Sequence, residues 1–137
     1  MVARARRSAV AEPELWGAGW AMSTTEFVIV LTTLPADADM APFAKTLVDE
    51  ALAACVSFQP SMDSVYSWEG RIERNQERQV MIKTTTARVE RLWARVRELH
   101  PYEVPEFLVI PIIDGNAAYL QWIRDSTTPR SGEGRET

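Results

Sequence analysis

Residues 97–107, RELHPYEVPEF, gather the residue types that bind metals and move protons. They include the only histidine of the chain, His100, together with Tyr102, Glu103 and Glu106. Imidazole and carboxylate groups are ligands of metal ions, and they also act as partners in proton transfer. The two prolines of the segment favour a simpler interpretation, in which it only connects a helix to a strand.

A metal site requires about three or four ligands, and His100 with the single cysteine, Cys55, falls short of that number. Glu103 and Glu106 would add oxygen ligands, and several copies of the chain could pool theirs. His100 also lies at the predicted end of a helix, where the helix dipole favours the protonated imidazolium over the neutral ligand form. A histidine that caps the terminal carbonyls of the helix is therefore the alternative to a metal ligand.

Cys55 allows a second kind of chemistry, in which its thiolate attacks a substrate and His100 acts as the base. The sequence shows no assignable oxyanion arrangement and no activating Asn or Asp. A cysteine that is buried between a helix and a strand is inert. An enzyme that uses Cys55 or His100 is therefore the least supported hypothesis, and no catalytic residue is predicted.

Aromatic and basic side chains elsewhere in the chain could line a ligand cleft. Tyr66 and Trp68 alternate along a predicted strand, so both rings point to one face, where they either pack under a neighbouring chain or line the cleft. Lys83, on the facing strand, either binds an anion or is an ordinary solvated lysine. Familiar phosphate-loop, dinucleotide, C-x-x-C and H-E-x-x-H motifs are missing from the sequence, so none of their cofactors is expected.

Length and composition place the chain among small globular domains. Its 137 residues suit one domain with its own core, and 46% of them are hydrophobic and 25% charged. A net charge of −4 and a pI of about 5.1 exclude the broad basic surface that binds nucleic acid. No apolar run reaches the roughly 20 residues of a membrane span. The single cysteine fits a reducing compartment, so we expect a cytoplasmic protein without nucleic-acid or membrane partners.

The two ends of the chain differ in composition from its middle. Residues 1–22 combine arginines with small residues but contain no continuous apolar stretch, so they are predicted to be a disordered extension rather than a targeting peptide. Residues 127–137 are polar and contain proline and glycine, which predicts a flexible tail. The folded domain is therefore expected at residues 23–126.

Hydrophobic periodicity predicts an α+β domain. Strands are predicted at residues 26–34, 55–60, 79–86 and 106–113, with residues 63–73 as a further strand or as the continuation of the second past a bulge, and residues 73–78 as a turn. Helices are predicted within residues 37–55, at 87–100 and at 117–126. This is a ferredoxin-like β-α-β-β-α-β sandwich with an extended β-hairpin and an extra C-terminal helix. Its two long helices cover one face of a four-stranded antiparallel sheet, with strands one and three in the centre.

The last predicted strand is apolar on both faces, although it lies at an edge of the sheet. Its side chains alternate between two sets, Phe107, Val109 and Pro111 on one side and Leu108, Ile110 and Ile112 on the other. Such an edge aggregates unless something covers it, and the hairpin at residues 63–85 is too long for the available helices to cover. We therefore expect other copies of the chain to supply the missing surface.

Five segments together resemble the CutA divalent-cation tolerance proteins: LAACVSFQP, SVYSWEGRIE, IKTTTARVERL, LHPYEVPEFLVIPI and GNAAYLQWI. The resemblance runs from about residue 27 to residue 124, with the blocks in the family's order and spacing. It implies a ferredoxin-like fold assembled as a homotrimer and related in architecture to the PII signalling proteins. It also implies a role in tolerance to copper and other divalent cations, and it places the segment around His100 near a cleft between subunits.

The chain departs from the family pattern at two positions of the proposed copper ligand set. Some bacterial members carry a cysteine where this chain has Thr32, and a second histidine where it has Leu99. Only His100 is left of that set, so the soft ligands suited to Cu(I) are missing. Imidazole and carboxylates would still bind a harder divalent ion weakly.

The sequence thus predicts a non-catalytic, homotrimeric CutA-like protein that responds to divalent cations. Its metal residue is His100, which would hold copper or zinc weakly, and no other cofactor is expected. Its ligand cleft is predicted to be lined by Tyr66, Trp68, Lys83, Tyr102, Glu103, Glu106 and Tyr119. The alternative is a PII-like regulatory module that binds a small anionic metabolite or a partner protein.

Overall fold

The computed structural model describes residues 25–129, which form four strands, three α-helices and one 3-10 turn. The strands are β1 (Phe27–Pro35), β2 (Cys55–Trp68), β3 (Arg71–Thr85) and β4 (Leu108–Ile112). The helices are α1 (Met40–Asp49), α2 (Val89–Leu99) and α3 (Ala117–Ser126), and the 3-10 turn (Thr86–Arg88) leads into α2. None of these helices has the length and apolar composition that crossing a membrane requires.

The strands form one antiparallel sheet in the order β2-β3-β1-β4. β1 pairs along its whole length with β3 and, through its first five residues, with β4. The pairs of Phe27 with Thr85 and with Ile112 define the two registers. With β1 and β3 in the centre and β2 and β4 at the edges, the predicted ferredoxin-like α+β fold is confirmed.

One face of the sheet is covered by α1 and α2, because most strand side chains on that face are apolar. The register places Val30 of β1 between Ile82 of β3 and Val109 of β4 on this face. The helices contribute Leu47 of α1 and Leu92 of α2, and both side chains are fully buried. The other buried members of this main core are Val28, Leu34, Met40, Phe43, Leu52, Ala53, Val80, Val89, Trp93, Val96 and Phe107.

The final helix, α3, packs on the opposite face, at the end of the sheet where β1 begins. Ile123 of α3 is buried there with Phe27 of β1 and Ala54, and the partly buried Ile112 and Leu120 complete this smaller core. Phe27 is the first residue of β1, so α3 covers only one end of this face. Within residues 25–129, the rows of the sheet farther along β1 have no helix on this side.

The hairpin formed by β2 and β3 is longer than predicted. β2 is one strand with a register shift between Phe58 and Ser61, so the predicted continuation past a bulge is what the structure contains. The predicted turn at residues 73–78 is wrong, because these residues belong to β3. Pairing continues beyond them, as far as Trp68 opposite Arg71.

The hairpin turns at Glu69 and Gly70, whose φ angles of 52° and 79° are both positive, as a type I′ hairpin turn requires. Glycine adopts this conformation without strain, so the Glu-Gly pair is the turn signal of this segment. Residues 73–76 are polar for another reason. β1 ends opposite Glu77, so the hairpin beyond Glu77 has no third strand beside it. Its strand residues therefore do not need apolar side chains at alternate positions.

Some predictions about the chain ends lie beyond what the structure describes. The predicted extension at residues 1–22 and residues 130–137 of the predicted tail are outside the described residues. Thr127, the first residue of that tail, is 2% exposed, and its hydroxyl donates to the carbonyl oxygen of Ile123 at 2.8 Å. Thr127 therefore ends α3 as part of the folded domain.

Candidate functional site

The sheet face opposite α1 and α2, called the open face below, has an apolar centre. Alternation along the strands places five side chains there: Ile29, Leu31, Met81, Leu108 and Ile110. Leu108 and Ile110 are 55% and 42% exposed, which is high for large apolar side chains. The centre of this face is therefore apolar and only partly covered in a single chain.

Two polar groups lie at opposite ends of the open face. Lys83 of β3 pairs opposite Ile29, near the beginning of β1, whereas Glu77 of β3 pairs opposite Pro35, at the end of β1. Because a strand rises about 3.3 Å per residue, roughly 20 Å separates Lys83 from Glu77. The two ends are therefore separate candidate sites within one chain.

The end of β1 has a backbone carbonyl that the sheet does not satisfy. The N–H of Thr86 donates to the backbone oxygen of Glu26, and backbone groups along a strand point alternately to its two neighbours. The backbone groups of even-numbered residues of β1 therefore bond to β3, and those of odd-numbered residues point toward β4. β4 pairs with β1 only as far as Leu31. The carbonyl of Thr33 therefore needs a donor from outside the sheet.

His100 supplies that donor. The side chain is 7% exposed, its Nε2 lies 2.5 Å from the backbone oxygen of Thr33, and its Nδ1 accepts a hydrogen bond from the N–H of Tyr102 at 3.0 Å. A nitrogen that accepts carries no proton and a carbonyl oxygen can only accept, so the proton is on Nε2 and the ring is neutral. The imidazolium form considered above does not fit these bonds. The ring ties the end of α2 to the end of β1.

Tyr102 extends the same network to β3. Its hydroxyl donates to Oε2 of Glu77 at 2.8 Å, and the two side chains are only 4% and 1% exposed. Its ring centroid lies 4.9 Å from that of His100. A carboxylate that is buried this deeply requires hydrogen bonds in place of its hydration shell, and Tyr102 provides one of them.

Gln79 of β3 holds the beginning of the β4 segment. Its side-chain nitrogen donates to the backbone oxygen of Thr32 at 2.7 Å and to Oε2 of Glu106 at 2.8 Å. One amide nitrogen carries two hydrogens, so both bonds can form together. We call His100, Tyr102, Glu77, Gln79 and Glu106 the His100 network.

Glu77 and Gln79 were missed at the sequence level. Glu77 fell within the stretch assigned to a turn, and Gln79 began the predicted strand without being given a role. The alternation of β3 would have found them, because positions 77, 79, 81 and 83 share the open face once the strand is extended backwards.

The seven residues predicted to line a cleft lie in three places in a single chain. Tyr102, Glu103 and Glu106 lie on the segment between α2 and β4. Lys83 and Tyr119 lie near the beginning of β1, and Tyr66 and Trp68 lie on the outer hairpin. A cleft that unites them requires a second copy of the chain and stays a prediction.

The two hairpin rings continue the open face. Tyr66 pairs opposite Glu73 and Trp68 opposite Arg71, so the alternation of β3 puts both on the same side as Glu77. The phenolic oxygen of Tyr66 accepts a hydrogen bond from the side-chain amide of Asn75. Both rings are partly buried in the single chain.

The beginning of β1 carries a second polar group, which we call the Lys83 corner and define as Lys83, Tyr119 and Trp122. Nζ of Lys83 donates to the phenolic oxygen of Tyr119 at 3.2 Å and lies 5.4 Å from the centre of that ring. The Tyr119 ring lies 5.3 Å from that of Trp122. The hydrogen bond with Tyr119 raises the pKa of Lys83 above its ordinary value, against the opposing effect of burial.

The residues of one chain do not fit a metal ion. Between residues 25 and 129, no three His, Cys, Asp or Glu side chains lie close enough together to hold one. A metal at His100 would have to displace the carbonyl of Thr33 or the N–H of Tyr102. Cys55 pairs opposite Lys83, at the other end of the open face, which also separates the two members of the Cys–His pair considered above. The metal role of His100 stays a prediction, and this geometry argues against it.

The two positions at which the chain departs from the family's ligand set are directed toward the core. Thr32 lies opposite Val80 on the helix-covered face and is fully buried, and its hydroxyl has no hydrogen-bond partner among the described residues. Leu99 packs against the main core. Neither side chain reaches the open face.

We expect the histidine to be a neutral ring protonated on Nε2 in the folded protein at neutral pH. Because His100 is the only histidine, a long-range ¹⁵N–¹H NMR spectrum contains one ring pattern and needs no assignment. Nδ1 should show the resonance of an unprotonated nitrogen and Nε2 that of a protonated one. The protein unfolded in urea is the control, with a ring that exchanges between its forms. A ring protonated on Nδ1 or on both nitrogens would contradict the hydrogen bonds described here.

Tyr119→Phe should lower the pKa of Lys83 toward its ordinary value of 10.5, because the variant keeps the ring but loses the oxygen that accepts the ammonium hydrogen bond. A group whose pKa is raised in the folded state stabilises that state below its unfolded pKa, and this stabilisation fades as the pH rises through the raised value. The wild type should therefore lose its advantage over Tyr119→Phe only in the alkaline range above about pH 10.

NMR titration of the Lys83 side chain measures this shift. Tyr66→Phe is the matched control, because it removes a phenol that bonds to Asn75 and should leave the pKa of Lys83 unchanged. An unchanged Lys83 pKa in Tyr119→Phe would disprove the assigned cause.

Comparison with known proteins identifies the family. A sequence model of the family described as CutA1 divalent ion tolerance protein matches residues 28–126. The divalent-cation tolerance protein CutA of Thermus thermophilus is 44% identical over 99 residues, which span 72% of this chain and 96% of that protein.

Solved structures show the same fold. The divalent cation tolerance protein (Cut A1) from Thermus thermophilus matches with a TM-score of 0.72 at 43% identity, covering 74% of this chain and 99% of that one. The stable protein CutA1 from a psychrotrophic Shewanella bacterium also matches with a TM-score of 0.72, at 40% identity and with coverages of 77% and 98%. As its sequence resemblance predicted, the chain belongs to the CutA1 divalent ion tolerance family.

Proposed function

We propose that the chain is a homotrimeric binding protein of the cytoplasm that takes part in tolerance to divalent cations and has no catalytic turnover. Membership of the CutA1 family supports the link with divalent cations. The apolar centre of the open face is the observation that carries the proposal of assembly.

The open face is too apolar to remain in water. Its five central side chains have no helix over them within residues 25–129, and two of them, Leu108 and Ile110 of the edge strand β4, are 55% and 42% exposed. Complete burial of a large apolar side chain contributes about 1.5–3 kcal/mol. Association costs about 4–15 kcal/mol, so several such side chains per subunit are needed, and the open face supplies them.

The number of subunits is supported by a separate consideration. The open face explains why the chain needs a partner, whereas three subunits are what the family resemblance implies. A partner that covers the centre of the open face also approaches both of its polar ends. The predicted cleft, with Tyr66 and Trp68 on one side and the segment between α2 and β4 on the other, would form in this way.

Binding without catalysis is supported by the roles that the reactive side chains already have. Both ring nitrogens of His100 are used in hydrogen bonds, so the ring is not available as a general base. Cys55 has no imidazole beside it in the described structure, and Lys83 is held in its charged form by Tyr119. None of the three has the arrangement that an activated nucleophile requires.

Cation binding is proposed to be weak and to use carboxylates rather than the imidazole. Glu103 is exposed, and Glu106 is partly exposed with one oxygen held by Gln79. Carboxylate oxygens suit harder divalent ions, and neighbouring subunits could combine those of several chains. Copper and zinc are the ions to be tested.

Ile110→Glu should dissociate the assembly, because it places a charge in the apolar centre of the open face. Val48→Glu is the matched control: Val48 lies on α1, on the other side of the molecule, and is 40% exposed compared with 42% for Ile110. Light scattering should give three times the 15.5 kDa chain mass for the wild type and Val48→Glu, and a single chain mass for Ile110→Glu. A stable wild-type monomer at micromolar concentration would contradict the proposed assembly, and equal masses for the two variants would refute the open face as its interface.

Titration calorimetry of Cu²⁺ and Zn²⁺ should give the same weak affinity for the wild type and for His100→Gln, because the imidazole is already used by β1 and Tyr102. Glu106→Gln, which removes a carboxylate from the same segment, should weaken binding. An affinity at least about tenfold lower in His100→Gln alone, a difference of about 1.4 kcal/mol, would identify the imidazole as a ligand. The absence of heat with both ions would remove cation binding from the proposal.

A further inference from the structure

We propose that the Lys83 corner binds the carboxylate of a small aromatic acid, with Lys83 and Tyr119 holding the carboxylate and Trp122 packing against the ring. This inference rests on the proposed function in one respect, which is that the protein binds a ligand and does not catalyse a reaction. It concerns the end of the open face that lies farthest from the His100 network.

Lys83 is a cation without an anionic partner among residues 25–129. It lies between Cys55 of β2 and Ile29 of β1, and its hydrogen bond is to Tyr119. Other basic residues of this chain do have carboxylate partners, as shown by Lys45, Arg95 and Arg124. The ammonium is largely exposed, and the ring of Tyr119 lies beside it and replaces part of its hydration, so an anion that bridges the two groups gains a charged partner and an aromatic neighbour together.

Lys83 and Tyr119 together offer two donors with the spacing of one carboxylate. Lys83 donates to the phenolic oxygen, so the hydroxyl hydrogen of Tyr119 is left to donate elsewhere, and the described residues provide no acceptor for it. The ammonium keeps two further hydrogens. Two donor atoms 3.2 Å apart can each bond to one oxygen of a carboxylate.

Charge favours a carboxylate over a phosphate at this position. The single ammonium balances the single negative charge of a carboxylate, whereas a phosphate dianion would keep an uncompensated charge close to aromatic rings. The raised pKa of Lys83 means that the ammonium is present throughout the neutral range. The corner therefore matches a monoanion.

The surroundings of the two donors favour an acid with an aromatic body. The rings of Tyr119 and Trp122 are each 43% exposed and tilted by 41° to each other, so they present neighbouring aromatic surfaces. A flat ring attached to the carboxylate would cover this apolar surface, and an aliphatic acid as small as acetate would not.

Titration calorimetry with benzoate tests the proposal on the intact protein. Benzamide has the same ring without the charge, and acetate has the charge without the ring, so both should bind at least about tenfold more weakly than benzoate. Lys83→Met keeps most of the side-chain length and removes the charge, and it should weaken benzoate binding to a similar degree. Lys45→Met removes an exposed lysine of α1 and should leave benzoate binding unchanged.

Three results would overturn the proposal: no benzoate binding by the wild type in any assembly state, equal affinities for benzoate and benzamide, or full benzoate affinity in Lys83→Met. Light scattering of the same samples shows whether the proposed ligand site or the proposed trimer has failed. A monomeric wild type that binds benzoate through Lys83 would refute the trimer and uphold the site. Dissociation of Lys83→Met together with no benzoate binding by the wild type would instead make Lys83 a subunit contact.

Discussion

The fold depends on one constraint: both faces of the four-stranded sheet carry apolar side chains, but the helices cover only one of these faces. α1 and α2 cover the first face along β1, and α3 reaches only the end of the second, around Phe27. The same constraint applies to the long hairpin, which extends beyond β1 and has neither a helix nor a third strand packed against its outer part. A single chain therefore leaves apolar surface uncovered, and the residues that look functional in the sequence border that surface.

The most suggestive segment of the sequence, residues 97–107, is used largely for structure. β4 pairs with β1 only up to Leu31, so the carbonyl of Thr33 is left for a side chain to satisfy, and His100 does so while accepting the N–H of Tyr102. Tyr102 in turn bonds to the buried Glu77. A histidine among carboxylates that would suit a metal in isolation thus connects α2, β1 and β3 in the folded chain.

The element order, the central strands and the bulge in β2 could be predicted because they depend on local periodicity and on general rules of connection. The turn at Glu69 and Gly70 was misplaced because the run of polar residues at 73–78 looks like a loop in the sequence. The hydrogen bonds around His100 could not be predicted, since Tyr102 and Glu77 are 25 positions apart and meet only when β3 and the segment before β4 have packed. The hydrogen bond between Lys83 and Tyr119, which are 36 positions apart, could not be predicted from the sequence for the same reason.

Burial of the open face in solution is measured most directly by the relaxation that a soluble paramagnetic probe causes in methyl groups. If other subunits cover this face, the methyl groups of Ile29 and Ile110 should be protected nearly as well as those of Val30 in the main core, while those of Val48 on α1 are strongly relaxed. If Ile110 relaxes as strongly as Val48, which has nearly the same exposure in a single chain, the open face is in contact with water and the proposed assembly is wrong.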